Sequence, residues 1–168
     1  MNITSRRTSF GVVAIVVLCF TSGTTLAQST KASAADIERG RYLVKIAGCN
    51  DCHTANYAET AGAVPEKDWL TGVPVGFRGP WGTTYATNLR LVVAGLSEQQ
   101  WMQAARKAMR PPMPWFVLRD MTDADVRAIY RYVRSLGPAG TAAPAYVPPA
   151  QKVTTPTIDW PGTPPVSN

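Results

Sequence analysis

Cys49-Asn50-Asp51-Cys52-His53 is the most informative stretch of this chain. Two thiols three residues apart, with a histidine directly after the second, have the spacing that attaches a c-type haem. On one helical turn the three side chains share a face, so both sulfurs can form thioethers with the haem vinyl groups while the imidazole reaches the iron. The stretch therefore predicts one haem c, held covalently by Cys49 and Cys52 and ligated by His53.

Two other kinds of cysteine site compete with this interpretation. A thioredoxin-like redox pair has the same Cys-x-x-Cys spacing but belongs near a βαβ pattern, which this sequence does not show. A structural zinc site needs four ligands, whereas the stretch offers two thiols beside the only histidine of the chain. A haem site is favoured, with a non-haem thiol oxidoreductase as an alternative.

The N-terminal 27 residues have the features of a cleaved export signal. Arg6 and Arg7 precede an apolar run over residues 10–20, and small residues follow up to Ala27. The run is shorter than the roughly 20 apolar residues of a membrane span. We expect cleavage after about Ala27 and a periplasmic location, with membrane contact only through partners. An uncleaved membrane anchor is the alternative.

The chain is moderately basic. Its 17 Lys and Arg against 11 Asp and Glu give a net charge of +6, which falls to +4 when Arg6 and Arg7 leave with the signal. This charge suits docking to an acidic surface of a redox partner. No basic run with interleaved aromatic residues is present, so a nucleic-acid partner is not expected. Cleavage would also remove Cys19, and the mature chain would have no disulfide framework.

Capping patterns predict three helices. Ser33 with Asp36 begins the first, which Gly48 ends. Its apolar face recurs at helical spacing and includes Gly40, a residue that costs about 1 kcal/mol relative to Ala in a helix. We expect Gly40 there because another helix passes close to it.

The other two predicted helices lie in the second half of the chain. Ser97 begins one that runs to about Met109, before Pro111. Thr122 begins the last, which ends at Gly137.

Two long stretches show no helical period. One covers residues 55–90, within which the stretch 70–82, with four Gly and two Pro, is interpreted as a long loop. Residues 139–168 are interpreted as an extended proline-rich tail, parts of which Tyr146, Ile158 and Trp160 could pin onto the domain.

The second iron ligand is sought among the methionines, because His53 is the only histidine and methionine raises the potential of such haems. Met102 and Met109 fall on a predicted helix, and Met121 adjoins the cap of the next. Met113 lies between prolines in an irregular segment, which lowers the entropy of presenting its sulfur. Met113 is therefore the predicted ligand and Met109 the second choice, with an open or lysine-ligated iron as the alternative.

On these residues the chain resembles class I monohaem cytochromes c over about residues 35–138. The resemblance is carried by residues 36–43 (DIERGRYL), the Cys-x-x-Cys-His stretch, residues 112–115 (PMPW) and residues 122–136 (TDADVRAIYRYVRSL). It is strongest to the single-haem modules in the cytochrome subunits of bacterial alcohol and gluconate dehydrogenases. Those subunits carry three haems, whereas this chain has one motif.

The resemblance implies a small all-α fold, in which the N- and C-terminal helices cross and long loops wrap one covalent haem. It implies axial ligation by His53 and Met113, and a proline carbonyl, of Pro80 or Pro74, bonded to the imidazole. Candidates for lining the haem or holding its propionates are Tyr85, Asn88, Arg90 and Trp101.

The sequence thus predicts an electron carrier rather than an enzyme. Its redox partners would be a dehydrogenase, of which it could be the electron-transfer subunit, and a terminal oxidase or another cytochrome of the respiratory chain. A haem enzyme or gas sensor with an open sixth coordination site is the alternative. The predicted plan is a signal peptide (1–27), a linker (28–34), a cytochrome c domain (35–138) and the tail (139–168).

Overall fold

The computed structural model describes residues 1, 32–149 and 151–162. Apart from Met1, the predicted signal peptide lies outside these ranges, as do most of the predicted linker and the end of the tail. Among the described residues, no helix combines the length and the apolar character that a membrane crossing requires.

The described part of the chain contains six α-helices. Ser33, Ser97 and Thr122 cap three of them as predicted, each side-chain oxygen accepting a hydrogen bond from the backbone N–H three residues on, at 3.1, 3.2 and 3.2 Å. The helices are α1 (Ala34–Ile46), α2 (Cys49–His53), α3 (Leu89–Ala94), α4 (Glu98–Ala105), α5 (Trp115–Asp120) and α6 (Asp123–Leu136), with a 3-10 turn at Glu66–Asp68.

Helix bounds differ from the sequence prediction in the middle of the chain. Helix α4 ends at Ala105 rather than near Met109. The next residue, Arg106, leaves the helix and donates hydrogen bonds to backbone carbonyls at the end of α5, including those of Leu118 and Met121. The sequence prediction also missed α3 and α5, because helices of six residues are too short to show a helical period.

A small sheet adds to the predicted all-α fold. Strand β1 (Gly76–Gly79) pairs antiparallel with β2 (Gly82–Tyr85) and parallel with β3 (Thr157–Asp159), giving the order β2–β1–β3. Two strands come from the stretch without a helical period (55–90) and one from the predicted tail. Strands of three or four residues carry little alternation, and the β1–β3 pairing joins segments far apart in sequence, so no local pattern indicated the sheet.

The hydrophobic core lies largely between α1 and α6. Val44 of α1 and Val126 and Tyr132 of α6 are at most 1% exposed. A Cβ built on Gly40 would lie 2.1 Å from the carbonyl oxygen of Ala128, so no side chain fits there. The structure thus shows at Gly40 the close helix approach that the sequence predicted.

Candidate cofactor site

A large cavity lies beside α2. Its volume is about 1350 Å³, above the roughly 300–1,000 Å³ of common small-molecule sites. Cys49, Cys52 and His53 line it together with Met113, and Met109 lines it as well. The four residues predicted to hold a haem therefore share one cavity, although Met113 lies far from the others along the chain.

Gly48 allows the three motif side chains to share one turn. Its φ of 70° lies in the left-handed region, which glycine adopts without the cost of a Cβ. The chain can therefore end α1 and begin α2 at once. The opposite face of α2 is anchored by Asn50, fully buried, whose Oδ1 accepts a hydrogen bond from the Thr54 hydroxyl at 2.8 Å.

Cys49 and Cys52 are not joined by a disulfide, and their thiols lie in a poorly solvated environment. Burial raises the pKa of Cys49 to about 11, and burial followed by the Asp51 carboxylate raises the pKa of Cys52. At neutral pH both are protonated, whereas redox-active and metal-binding cysteines are thiolates. In the described ranges no cluster of three or more His, Cys, Asp or Glu side chains could hold a metal ion. The site does not favour a thiol oxidoreductase or a zinc centre.

His53 contributes a neutral imidazole to the cavity wall. Its Nδ1 lies 2.7 Å from the carbonyl oxygen of Thr87. A carbonyl only accepts hydrogen bonds, so Nδ1 carries the proton and Nε2 keeps its lone pair. Burial lowers the pKa of His53, with the Thr87 hydrogen bond acting in the opposite direction. A backbone carbonyl that orients the ring in this way is typical of metal-binding histidines.

The carbonyl bonded to His53 belongs to Thr87, so the expectation of Pro80 or Pro74 was wrong. Pro80 lies in the turn between β1 and β2, and the residues that follow β2 return the chain to α2. Gly72 permits this return, because a Cβ there would lie 2.9 Å from the Ala86 carbonyl oxygen and 3.0 Å from the Thr87 carbonyl carbon.

The four candidates for lining a haem divide into two pairs. Tyr85 and Trp101 line the cavity, but Asn88 and Arg90 are not part of its wall. Asn88 caps α3, with its Oδ1 accepting from Leu91 N at 3.0 Å. The buried guanidinium of Arg90 donates to three backbone carbonyls, those of Lys67, Leu136 and Gly137. Both side chains bond backbone groups outside the cavity wall, a structural role.

Residues 110–114, here called the methionine segment, present Met113 at the cavity. The Thr84 hydroxyl of β2 donates to the Pro111 carbonyl at 2.7 Å. The backbone N–H of Trp115 donates to the Met113 carbonyl at 2.8 Å. The segment is therefore held from the sheet on one side and from α5 on the other.

Part of the cavity wall comes from the predicted tail. Residues 143–146 line the cavity, and sequence reasoning assigned them no part in the site. The one signal was Tyr146, a large aromatic side chain in a stretch of Ala and Pro.

The donors and the wall together fit a covalently attached haem. Two thiols and a neutral imidazole with a free Nε2 project from one helical turn, and two thioether sulfurs line the same space. Most of the remaining wall is apolar, with Val44, Leu89 and Ile129 among its members. A large, mostly apolar macrocycle with a central iron needs this combination of attachment points, axial donors and apolar surface.

Comparisons with known proteins agree with this chemistry. The family model described as Cytochrome c matches residues 37–137. The chain is 27% identical over 166 residues to the cytochrome c subunit of the quinone alcohol dehydrogenase of Gluconacetobacter polyoxogenes, covering 92% of this chain and 31% of that subunit. It is 29% identical over 119 residues to the fructose dehydrogenase cytochrome subunit of Gluconobacter japonicus, covering 63% of this chain and 23% of that protein.

A third relative belongs to a dehydrogenase with a different substrate in its name. The chain is 31% identical over 126 residues to a subunit of the nicotinate dehydrogenase of Pseudomonas putida, covering 67% of this chain and 10% of that protein. The chain thus spans about a third of the length of the alcohol dehydrogenase subunit and less of the other two relatives. No solved structure shows a significant match to it.

Proposed function

This chain belongs to the cytochrome c family, and on that premise we propose that it transfers single electrons through one covalent haem c ligated by His53 and Met113. The observation that carries the proposal is the shared cavity, which is lined by the two thiols, the imidazole and Met113. A haem c bound there supplies an iron that alternates between the ferric and ferrous states.

Each residue of the site has a defined task in this proposal. Cys49 and Cys52 anchor the haem covalently, so that it cannot dissociate. The Thr87 carbonyl keeps the proton of His53 on Nδ1 and so leaves Nε2 free to bind the iron. The thioether of Met113 would supply the second iron ligand, and a thioether ligand raises the reduction potential of such a haem. Ligands held on rigid segments favour electron transfer, because few protein atoms need to move when the charge of the iron changes.

The haem would lie in a fold in which α1 and α6 cross and the intervening loops wrap the cofactor. Two loops contribute to the iron site. The hairpin brings the Thr87 carbonyl to His53, and the methionine segment supplies Met113. Because the cavity wall is mostly apolar, it would exclude water from the iron, and the low local dielectric would strengthen the remaining polar contacts.

We propose a periplasmic location and a dehydrogenase as the electron donor. Two of the relatives described above are named as cytochrome subunits of dehydrogenases, and the predicted mature charge of +4 suits an acidic partner. The acceptor would be another cytochrome or a terminal oxidase. Purification from cells making the tagged protein tests this directly: a dehydrogenase recovered at equal stoichiometry supports a subunit role, and a free monomer supports a mobile carrier.

The axial pair is tested on the ferric holoprotein. A sulfur-to-iron charge-transfer band should be present in the wild type, absent in Met113→Ala and retained in Met109→Leu, the matched control from the same cavity wall. Loss of the band in Met109→Leu but not in Met113→Ala would reverse the assignment. A high-spin wild type that binds cyanide or carbon monoxide readily would contradict the electron-carrier proposal and favour a haem enzyme or gas sensor.

A further inference from the structure

Residues 139–147, here called the strap, follow α6 and run along the cavity. At its start, Asn88 Nδ2 donates to the carbonyl oxygens of Ala139 and Thr141 at 2.7 and 3.1 Å. At its end, Thr83 and Val147 exchange two backbone hydrogen bonds of 2.7 and 2.9 Å. Residues 143–146 between these anchors line the cavity. The strap is thus fixed at both ends, and its middle contributes wall to the site.

Tyr146 connects the strap to the methionine segment. The guanidinium carbon of Arg110 lies 4.1 Å from the centre of the Tyr146 ring, well inside the range of about 6 Å for a cation–π contact. The Tyr146 hydroxyl donates to the Trp81 carbonyl at 2.8 Å. The ring is therefore held between the hairpin turn and Arg110.

The hairpin turn is shaped to receive the strap. A Cβ built on Gly82 would lie 2.4 Å from the Val147 carbonyl oxygen and 2.9 Å from Cε2 of Tyr146. Gly82 also has a φ of 97°, in the region that other residues rarely adopt. The strap therefore packs directly against β2 at Gly82, and this contact fixes the position of the Tyr146 ring relative to the hairpin.

The methionine segment depends on this contact because of its prolines. Positions 111, 112 and 114 are prolines, each with φ restricted to about −65°. With so few free dihedrals, the position of Met113 follows closely from that of Arg110 and Pro111. Tyr146 contacts Arg110, and the Thr84 hydroxyl bonds the Pro111 carbonyl.

We propose that Tyr146 is a positioning residue for Met113: by packing against Arg110, it keeps the methionine segment where the thioether reaches the haem iron. The inference rests on the His53 and Met113 ligation proposed above. It adds a role for the strap in the stability of the sixth ligand. Exogenous ligands such as imidazole compete with Met113 for the iron, so their affinity reports how often the thioether is displaced.

The test is a titration of the ferric holoprotein with imidazole, in which the loss of the sulfur-to-iron band measures imidazole binding. Tyr146→Leu should bind imidazole about fivefold more tightly than the wild type, the change expected when a contact of about 1 kcal/mol is lost. Tyr146→Phe keeps the ring over Arg110 and should restore an affinity close to that of the wild type. An unchanged affinity in Tyr146→Leu would overturn the proposal.

Two further variants separate positioning from general destabilisation. Arg110→Gln should have an effect similar to that of Tyr146→Leu, and the double variant should have little further effect, because both changes remove the contact between Arg110 and Tyr146. Tyr42→Leu is the matched control: the guanidinium carbon of Arg39 lies 5.7 Å from the centre of the Tyr42 ring, but Tyr42 does not line the cavity. Equal effects of Tyr42→Leu and Tyr146→Leu would show a nonspecific cause and refute a positioning role.

The wild-type spectrum keeps this inference distinct from the proposed function. Absence of the band in the wild type would refute the methionine ligation and with it the role of Tyr146. A normal wild-type band with no change in the Tyr146 and Arg110 variants would refute the positioning role alone.

Discussion

Thr54 is the buried hydroxyl that joins the histidine turn to the rest of the domain. It is 2% exposed, and its Oγ1 donates to Asn50 Oδ1 and accepts from Leu70 N, both at 2.8 Å. Leu70 has a φ of 62°, a left-handed conformation that costs a bulky residue of order 1–3 kcal/mol. The Thr54 hydroxyl, with the Leu89 N–H that donates to the Leu70 carbonyl at 3.0 Å, holds Leu70 in that conformation.

Thr54→Val should therefore destabilise the holoprotein without altering the ligands. The substitution keeps the shape of the side chain but leaves Leu70 N and Asn50 Oδ1 buried without this partner, at a cost of about 1–3 kcal/mol. Denaturant unfolding followed by circular dichroism measures the loss. Thr60→Val is the control, because the Thr60 hydroxyl donates to the Asn56 carbonyl at an exposed site and should change stability by less than about 0.5 kcal/mol. Equal losses in the two variants would contradict this role of Thr54.

The pair of helices α1 and α6 illustrates how a single position sets the distance between two elements. Gly40 brings the backbone of α1 against the Ala128 carbonyl, at a distance that no Cβ permits. Tyr132 and Val44 then fill the space beside the contact and are almost fully buried. The low helix propensity of glycine is offset by the close packing that it allows.

Gly40→Ala should destabilise the protein, in contrast to the usual gain from Gly→Ala in a helix. The added methyl group would overlap backbone atoms that cannot move independently, and overpacking of this kind costs about 1–3 kcal/mol or more. Thermal unfolding of the holoprotein measures the effect. Gly95→Ala is the control: its nearest neighbours would lie 3.7 Å from the new Cβ, and its φ of −85° suits any residue. A stable Gly40→Ala variant would show that the helices can separate freely.

At the scale of the whole molecule, ion pairs join the first helix to the last. Arg131 of α6 pairs with Asp36 and Glu98 at 2.8 and 3.0 Å, and Arg39 of α1 pairs with Asp125 at 2.9 Å. The hydrogen bond from Arg39 lowers the pKa of Asp125. The pKa of Asp36 is lowered first by hydrogen bonds from Ser33 and further by Arg131. The network thus connects α1, α4 and α6 around the core.

These carboxylates predict acid-sensitive stability. Because the folded-state pKa of Asp125 lies below its unfolded value, its contribution is fully present above about pH 4 and is lost as the pH falls through the folded-state pKa. Asp125→Asn should therefore flatten the pH dependence of the free energy of unfolding below about pH 4. Arg39→Gln should flatten it similarly, since it removes the same pair. Denaturant titrations at several pH values measure both. A wild-type pH dependence that persists in Asp125→Asn would contradict the prediction.

Short-range features of the site were predictable from the sequence. The spacing of Cys49, Cys52 and His53 and the three helix caps depend on interactions within a few residues. Gly40 contacts a distant helix, but a glycine on the apolar face of a helix is itself visible in the sequence. Met113 was predicted as the ligand because prolines surround it, and the structure places it in the cavity wall together with Met109. The short helices α3 and α5 were missed because two turns of helix carry too little pattern.

Other features follow from contacts between distant segments. Thr87 rather than a proline meets His53 because a hairpin and Gly72 return the chain to α2. The Arg90 guanidinium donates to backbone carbonyls at the end of α6. The pairing of β3 with β1 and the placement of Tyr146 over Arg110 are of the same kind. Periodicity, capping and spacing express interactions within a few residues and were enough to predict the turn that carries Cys49, Cys52 and His53, together with α1, α4 and α6. Contacts across long loops depend on how the whole core packs, and no local pattern contains that packing.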